Sequence, residues 1–236
     1  MTPPITQQTQ SATSAIILAA GLSQRMGTIN KLLIPINGKP MVRRTVEQYI
    51  QAGIKHIIVI VGHQQERIRT ALKGLNNINI VFNEAFNEGQ ITSIRCGLAA
   101  VSSQSHAVLV GLSDQPLLTA NDIQDVIRAF FQQSSKSILV PYHGNKRGNP
   151  IVLSTEQALS ADHDGVRLGC RKLIDKHPEK VFCFQATHNH YTCDLDTTTD
   201  VVQLLGEHVI IETTTIETRR INTHNIESNC TKARTK

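Results

Sequence analysis

Residues 15–31 read AIILAAGLSQRMGTINK, an apolar run followed by a loop that contains two glycines and two cations. Its first six residues have the length and composition of a buried β-strand. Gly21 and Gly27 then let the backbone turn sharply and come close to a ligand without an intervening Cβ. Backbone N–H groups in such a loop attract oxyanions, while Arg25 and Lys31 add two positive charges. The stretch therefore predicts a polyphosphate-binding loop, and an ordinary strand-to-helix turn is the alternative.

Strand-like and helical patterns alternate along most of the chain. After the first strand the patterns predict strands at residues 56–61, 78–82, 107–111, 137–140 and 181–184, and helices at 41–52, 64–73, 121–132 and 165–176. Pro40 is expected at the first position of the helix over 41–52. Such alternation is typical of a largely parallel sheet covered by helices, so we expect an α/β fold.

The length and the ends of the chain predict one large domain. The chain has 236 residues, which is ample for a single α/β core. The first fourteen residues carry no charged side chain and lack the features of a secretory signal. The last thirty are rich in Thr, Asn and charge and could bury little apolar area. We therefore expect a flexible segment at 1–14, the domain at 15–206 and a flexible polar tail at 207–236.

Composition narrows the classes of function. Hydrophobic residues make up 40% and charged residues 18% of the chain, as in globular proteins, and no apolar run has the length of a membrane span. The five cysteines form no C-x-x-C pair, which argues against disulfides and thiolate zinc sites. The net charge of +5 could attract nucleic acid, but 4% aromatic residues leave few platforms for stacked bases. We expect a cytoplasmic protein that binds neither membrane nor nucleic acid.

The segment Leu18–Lys31 resembles the signature L-A-A-G-x-S-x-R-M-G, followed by a lysine, of nucleotidyltransferases. Within that family it is most similar to the branch that contains the molybdenum cofactor cytidylyltransferases, and matching segments run from about Ile16 to Leu205. The resemblance implies a Rossmann-like three-layer αβα sandwich with a mostly parallel mixed sheet, of the nucleotide-diphospho-sugar transferase type. It also implies an enzyme that joins a nucleoside monophosphate to a phosphorylated acceptor and releases pyrophosphate. In this family L-A-A-G accompanies cytidine-using enzymes, so Ala20 favours CTP.

Two acidic segments are candidates for a Mg²⁺ site. Mg²⁺ prefers oxygen ligands and commonly takes one or two carboxylates together with phosphate oxygens. Asp114 follows a predicted strand directly and matches the D-Q-P motif of the family. Asp194 and Asp196 belong to a segment that resembles its D-x-D-T motif, and strand alternation would place both on one face. Asp114 and Asp196 are the predicted metal ligands; a turn-forming Asp and a helix cap are the alternatives.

The resemblance also assigns substrate contacts. The predicted catalytic residues are Arg25, Lys31 and Asp114, and the predicted nucleotide-binding residues are Leu18, Ala19, Ala20, Gly21, Ser23, Gly27, Gly62 and Ser93. The R-G-N-P segment and a later G-x-R stretch predict acceptor contacts from Arg147, Asn149 and Arg167. Solvated loop cations are the alternative for Arg25 and Lys31, and a solvent-facing helix position is the alternative for Ser93.

Three further residues bear on acceptor specificity and on metal binding. Several molybdenum cofactor cytidylyltransferases have His at the position of Asn149, which leaves the acceptor open. His188 and His190 have the spacing of metal ligands on a strand, but no third ligand is evident in the sequence, so no zinc site is predicted.

The leading hypothesis is an enzyme that uses Mg²⁺ to transfer CMP from CTP to the terminal phosphate of molybdopterin. A molybdoenzyme or its maturation chaperone is the protein partner that this hypothesis suggests. The alternatives are guanylyl transfer to molybdopterin, transfer to a sugar or alcohol phosphate, and a non-catalytic protein that delivers cofactor.

Overall fold

The computed structural model describes residues 13–26, 29–133, 135–163 and 170–205. In these residues it has an eight-stranded sheet, a two-stranded sheet formed by the second and third strands of the chain, and seven α-helices. The strands are β1 (Thr13–Ala19), β2 (Pro35–Ile36), β3 (Lys39–Pro40), β4 (His56–Val61), β5 (Ile78–Phe82), β6 (Ala107–Leu112), β7 (Ile138–His143), β8 (Lys146–Arg147), β9 (Ile151–Ser154) and β10 (Val181–Gln185). The helices are α1 (Met41–Gln51), α2 (Gln65–Leu72), α3 (Gln90–Ala99), α4 (Ala120–Gln132), α5 (Thr155–His163), α6 (Cys170–Lys176) and α7 (Thr198–Leu205).

The main sheet has the strand order β10-β7-β9-β6-β1-β4-β5, and β8 pairs with β7 beside this path. β1 lies inside the sheet between β6 and β4, and its Ile16 is in register with Val110 of β6 and Ile58 of β4. Of the strands on the path, only β9 runs antiparallel to its neighbours. This arrangement confirms the expected mixed, mostly parallel α/β sheet.

Both faces of the sheet are buried, as expected for a parallel sheet with helices on each side. Ile17 and Ala19 of β1 belong to one core cluster, to which α1, α2 and α4 contribute. Ile16 and Leu18 point the other way, into a cluster shared with α3, α5 and α6. These two clusters on opposite faces give the three layers of the expected αβα sandwich.

The boundaries of the elements follow local chemistry. Thr119 accepts a hydrogen bond from the Asp122 amide, and the Asp122 carboxylate accepts one from the Thr119 amide, so the pair forms a capping box at the start of α4. Gly53, with φ of +89°, follows the end of α1 and permits the left-handed turn there. Within the described residues no helix is both long and apolar enough to cross a membrane.

The sequence predictions differ from the structure in a few elements. Pro40 lies in β3 and precedes α1, so it is not the first helical residue, because the chain is still extended at ψ 136° there. The strand at Ile151–Ser154 and the helix at Thr155–His163 were not predicted. The predicted helix over 165–176 is seen from Cys170 onward, and its first part, like the predicted tail, lies outside the described residues.

Candidate functional site

The carboxyl ends of the parallel strands bring the candidate residues together. Because β1 and β6 are parallel neighbours, the loops that follow them leave the sheet side by side. The Ser113 hydroxyl, just after β6, donates to Leu18 O at 2.7 Å and joins the two loops. Open α/β sheets bind ligands at this edge, which we call the carboxyl edge.

Three of the predicted residues meet around one ammonium group. Lys31 Nζ lies 2.5 Å from Asp114 Oδ2 and 2.9 Å from Asp196 Oδ1. Arg25 Nη2 lies 2.9 Å from the second oxygen of Asp196. The side chains of Lys31 and Asp114 are only 14% and 15% exposed, so this contact is largely shielded from water. Two carboxylates from distant parts of the chain therefore face the same position.

The charged groups of this cluster shift one another's pKa values. Burial alone would lower the pKa of Lys31, but the charges and hydrogen bonds of Asp114 and Asp196 more than offset burial and raise it. Burial alone would raise the pKa of Asp196, but Lys31 and Arg25 hold it below its ordinary value. Lys31 is therefore a cation and Asp196 an anion at neutral pH.

The segment before α7 delivers Asp196 to this cluster. The Leu195 amide donates to Asp114 O at 3.0 Å and ties the segment to the loop after β6. Asp200 Oδ2 accepts from the Thr197 amide at 2.7 Å, and the Thr197 hydroxyl accepts from the Asp200 amide at 3.1 Å. Thr197 therefore caps the start of α7, and the Asp196 carboxylate does not act as the cap.

Asp194 has a different environment from Asp196. The segment is not a strand, so the expectation that both carboxylates share a strand face is wrong. Asp194 Oδ1 instead accepts a hydrogen bond from Gln115 Nε2 at 3.0 Å. Burial, followed by the negative charge of Asp114, raises the pKa of Asp194. Asp194 thus supports the loop after β6.

A cavity of about 400 Å³ opens beside the cluster. Its size lies within the range of small-molecule sites. Its lining includes the predicted residues Leu18, Ala20, Gly21, Ser23, Arg25, Lys31, Ser93, Asp114 and Asp196. The phosphate loop, the acidic cluster and α3 therefore share one space. Gly27, a further predicted loop residue, lies outside the described residues.

Ser93 faces the interior of the site rather than solvent. It is 4% exposed and accepts a hydrogen bond from Asn83 Nδ2 at 3.0 Å. Gly62 and Ala19 are not among the residues that line the cavity. A Cβ on Gly62 would lie 2.5 Å from Phe86 Cβ, so Gly62 allows Phe86 to pack against the end of β4. Ala19 is buried in the core cluster on the other face of the sheet.

The cavity wall between β5 and α3 was not predicted from the sequence. Phe86, Asn87 and Gln90 line the cavity there. A weak signal was available, because this segment follows a strand that neighbours β4 and must therefore start at the carboxyl edge. Because this segment is far from β1 in the sequence, the pattern did not show that both line the same cavity.

The reversed strand β9 brings a second part of the chain to the carboxyl edge. Since β9 is antiparallel to β6, the residues that precede it lie where β6 ends. The Asn149 amide donates to Tyr191 O at 2.8 Å, and a Cβ on Gly148 would collide with that same carbonyl. The predicted acceptor segment thus packs against the segment that leads to Asp196.

Arg147 lies at the rim of this region, outside the residues that line the cavity. Arg147 Nη1 lies 2.7 Å from Asp175 Oδ1 of α6, and its Nε donates to the Tyr142 hydroxyl at 3.0 Å. Its side chain is 39% exposed, so it can reach solutes. Arg167, the other predicted acceptor cation, lies outside the described residues.

The donor set of the acidic cluster fits a magnesium ion. Asp114 Oδ1 is buried and has no hydrogen-bond partner among the described residues, so it has free lone pairs. Asp114 and Asp196 already share one cation, the Lys31 ammonium. Two carboxylates next to a loop suited to phosphate form the kind of site that Mg²⁺ uses, with phosphate oxygens and water completing its coordination.

The fold and the site together define an α/β protein with a cavity of about 400 Å³, lined by charged residues, at the carboxyl edge of its sheet. The chain belongs to the MobA-like NTP transferase domain family, whose match covers residues 15–181.

Two curated relatives illustrate the similarity. The molybdenum cofactor cytidylyltransferase of Escherichia coli is 28% identical over 144 residues, which cover 61% of this chain and 71% of that protein. The bifunctional protein GlmU of an Exiguobacterium species is 37% identical over 123 residues, which cover 52% of this chain and 27% of that protein. The chain spans about a quarter to a third of the length of the GlmU relatives it matches.

Two solved structures share the fold. A nucleotidyl transferase from Methanothermobacter thermautotroptrophicus superimposes with a TM-score of 0.69 at 19% identity, covering 82% of this chain and 95% of that one. A CMP:2-keto-3-deoxy-manno-octonic acid synthetase complexed with CTP superimposes with a TM-score of 0.65 at 12% identity, covering 83% of this chain and 97% of that one. At these identities the likeness shows the fold alone.

Proposed function

We propose that this protein transfers a nucleoside monophosphate from a nucleoside triphosphate to a phosphorylated acceptor and releases pyrophosphate. In its specific form, the proposal is transfer of CMP from CTP to the terminal phosphate of molybdopterin. The observation that carries it is the convergence of Asp114 and Asp196 on Lys31 beside the loop after β1. Family membership and the cytidylyltransferase of E. coli among the relatives support it.

The cluster suggests how the chain handles the triphosphate. Asp114 and Asp196 would hold Mg²⁺, which supplies positive charge to the reacting phosphate and to the leaving pyrophosphate. Lys31 and Arg25, which contact the carboxylates in the free protein, would exchange these partners for phosphate oxygens. Backbone N–H groups of the loop would bind further oxygens and orient the α-phosphate for in-line attack.

The acceptor needs little activation from the protein. A phosphate group is already ionised at neutral pH, so positioning and charge neutralisation can carry the reaction without a general base. Asn149 and Arg147 would bind the acceptor, because their segment meets the Asp196 segment through Tyr191 O. Arg167 is proposed as a further phosphate ligand from the sequence resemblance.

The base would occupy the part of the cavity between the first loop and α3. Leu18, Ala20 and Ser93 line that space, and Phe86 adds an aromatic wall. Small side chains and backbone polar groups there suit recognition by direct hydrogen bonds to the edge of a base. CTP is the proposed nucleotide because of Ala20, and because the cytidylyltransferase of E. coli is among the relatives.

The test is pyrophosphate release from CTP, GTP, UTP and ATP with Mg²⁺, each combined with molybdopterin, a sugar phosphate or an alcohol phosphate. The proposal expects release to be fastest with CTP and molybdopterin and to depend on both. If pyrophosphate release required a different acceptor, that compound would replace molybdopterin in the proposal. Asn149 already leaves the identity of the acceptor open. Absence of release from every pair would contradict nucleotidyl transfer and favour a cofactor-delivery protein.

A further inference from the structure

A second group of polar side chains lies outside the cavity, where α4 meets the segment before Tyr191. Asp122, in the first turn of α4, is buried, and His188 and His190 both lie against its carboxylate. One ligand atom from each of the three residues lies within 4.8 Å of the others. The histidine pair thus gains the third ligand that its spacing in the sequence did not reveal.

The distances between these side chains are close to the spacing of ligand atoms around a zinc ion. His188 Nε2 lies 3.3 Å from Asp122 Oδ1, and His190 Nδ1 lies 2.9 Å from Asp122 Oδ2. Around a tetrahedral Zn²⁺ with bonds of about 2.0–2.1 Å, neighbouring ligand atoms are about 3.3 Å apart. The imidazoles are 40% and 32% exposed, so they have room for the small rotations that closure requires.

The surroundings of the three side chains hold the Asp122 carboxylate in place and leave one histidine nitrogen without a partner in the described part of the chain. His188 Nδ1 is buried and has no hydrogen-bond partner among the described residues. The two imidazole rings lie next to each other, with centroids 4.0 Å apart. The Thr119 amide and hydroxyl both donate to Asp122 Oδ2 at 2.8 Å. These bonds fix the carboxylate and direct Oδ1 toward His188, as partners of metal ligands usually do.

We propose that Asp122, His188 and His190 bind a zinc ion, with water in the exposed fourth position. Two imidazoles and one carboxylate suit Zn²⁺, whereas Mg²⁺ prefers oxygen ligands throughout. This site is therefore distinct in chemistry from the acidic cluster of the cavity, and it does not depend on the proposed function.

The position of the site suggests a positioning role. The Tyr191 hydroxyl donates to Asp122 O at 3.0 Å, and Tyr191 O accepts from Gln115 Nε2 at 2.7 Å. A metal ion here would clamp α4 to the segment that continues to Asp194 and Asp196. Zinc would thereby hold the acidic segment in place without touching the nucleotide.

The test is a titration of the metal-free full chain with Zn²⁺ against a chromophoric chelator, in excess Mg²⁺. The wild type is expected to bind one tight Zn²⁺ and to melt at a higher temperature with it. His188→Gln and His190→Gln are each expected to weaken binding by more than about 100-fold, since even loss of an outer partner costs 10–100-fold. Circular dichroism of both variants confirms folding.

Two control variants separate this site from other sources of binding. His177 pairs with Glu179 at 3.3 Å in a similar exposed contact, so His177→Gln should keep the full affinity. Asp114→Asn removes the proposed magnesium ligand and should also leave Zn²⁺ binding unchanged. The proposal would be overturned if the wild type did not bind Zn²⁺ tightly. It would also be overturned if His188→Gln and His190→Gln bound Zn²⁺ as tightly as the wild type.

Discussion

At the residue scale, the contacts of Asp114 argue for a direct role in turnover. Its Oδ2 meets Lys31, while its buried Oδ1 has no partner among the described residues. Asp114→Asn keeps the shape but removes the charge that a magnesium-bound triphosphate would need. We expect kcat/KM for nucleotidyl transfer to fall at least about 100-fold, the usual cost of removing one preorganised electrostatic contact.

Pyrophosphate release measures this effect, and thermal unfolding shows whether the variant is folded. Asp125→Asn is the matched control, because Asp125 pairs with Arg128 on the surface of α4 and its side chain is 46% exposed. Equal turnover of the Asp114 variant and the wild type would remove Asp114 from the metal site.

Under the proposed function, Lys31 would compete with a metal ion for the carboxylates of Asp114 and Asp196. Lys31→Met should therefore tighten binding of Mn²⁺ or Mg²⁺ to the nucleotide-free protein, since Asp114 would lose its cation and Asp196 would keep only Arg25. The same variant should turn over nucleotide more slowly because it loses a phosphate ligand. Calorimetry measures the first effect and pyrophosphate release the second.

Lys39→Met offers a comparison, since Lys39 pairs with Glu47 and its side chain is 55% exposed. Lys39→Met should change neither the affinity for the metal ion nor the rate of pyrophosphate release. Metal binding that stays the same or weakens in Lys31→Met would contradict competition at the cluster.

Asp196 should make stability depend on pH. A carboxyl group with a lowered pKa in the folded protein stabilises the fold above its unfolded pKa of about 3.9, and this contribution disappears as the pH falls through the folded pKa. The free energy of unfolding of the wild type should exceed that of Asp196→Asn above about pH 5, and the two should converge below about pH 4. Urea unfolding across this range tests the prediction, which a constant difference would refute.

At the element scale, α1 packs on the centre of the sheet through Tyr49. The Tyr49 side chain is fully buried, and its hydroxyl has no hydrogen-bond partner among the described residues. A Cβ on Gly111 of β6 would overlap that hydroxyl. We expect Gly111→Ala to destabilise the protein by about 1–3 kcal/mol, the usual cost of overpacking.

Tyr49→Phe should partly rescue this loss, because it removes the atom that collides with the new methyl group. On its own it should stabilise the protein by about 1 kcal/mol, since a buried hydroxyl without a partner carries a cost. Urea unfolding of the single and double variants measures the coupling. Additive effects would show that Gly111 and Tyr49 do not meet.

The elements that could be predicted are those with a strong local pattern. β1, β4 and β6 are apolar runs buried on both faces, and their length and bounding residues identify them. β9 has only four residues, and α5 has few apolar residues to show a helical period. Local sequence could not reveal β9 or α5. Pairing with β6 and β7 stabilises β9, and packing on β9 stabilises α5.

The candidate site shows the same limit. Lys31, Asp114 and Asp196 could be singled out because each lies in a short motif next to a strand or a helix. Phe86 carries no motif, and only the folded sheet shows that it faces the first loop. Likewise, Asp122 and His188 are brought together by tertiary packing, which a single sequence does not record.

At the scale of the whole molecule, the sequence predicts that the last thirty residues, which are mostly polar, add little to the apolar core. Both clusters of buried apolar side chains draw on described residues between Ala15 and Val201. We therefore expect a chain that ends at Gly206 to keep the melting temperature and the nucleotidyl transfer rate of the full chain. Differential scanning fluorimetry and pyrophosphate release measure the two quantities.

A chain that ends at Thr197 is the control for this deletion. It also loses Val201, which is 2% exposed, and Asp200, which holds the amide of Asp196 at 3.0 Å. This shorter chain should be less stable. Equal losses from both deletions would show that residues 207–236 contribute to the folded domain.

The direction of β9 has a consequence for how such a protein can diversify. The β7–β8 hairpin and Arg147–Pro150 reach the carboxyl edge by a route separate from that of the loop after β1. Under the proposed function, triphosphate chemistry and acceptor choice reside on different stretches of chain. Exchange of one hairpin could redirect a descendant to a new acceptor while its inherited donor machinery stays intact.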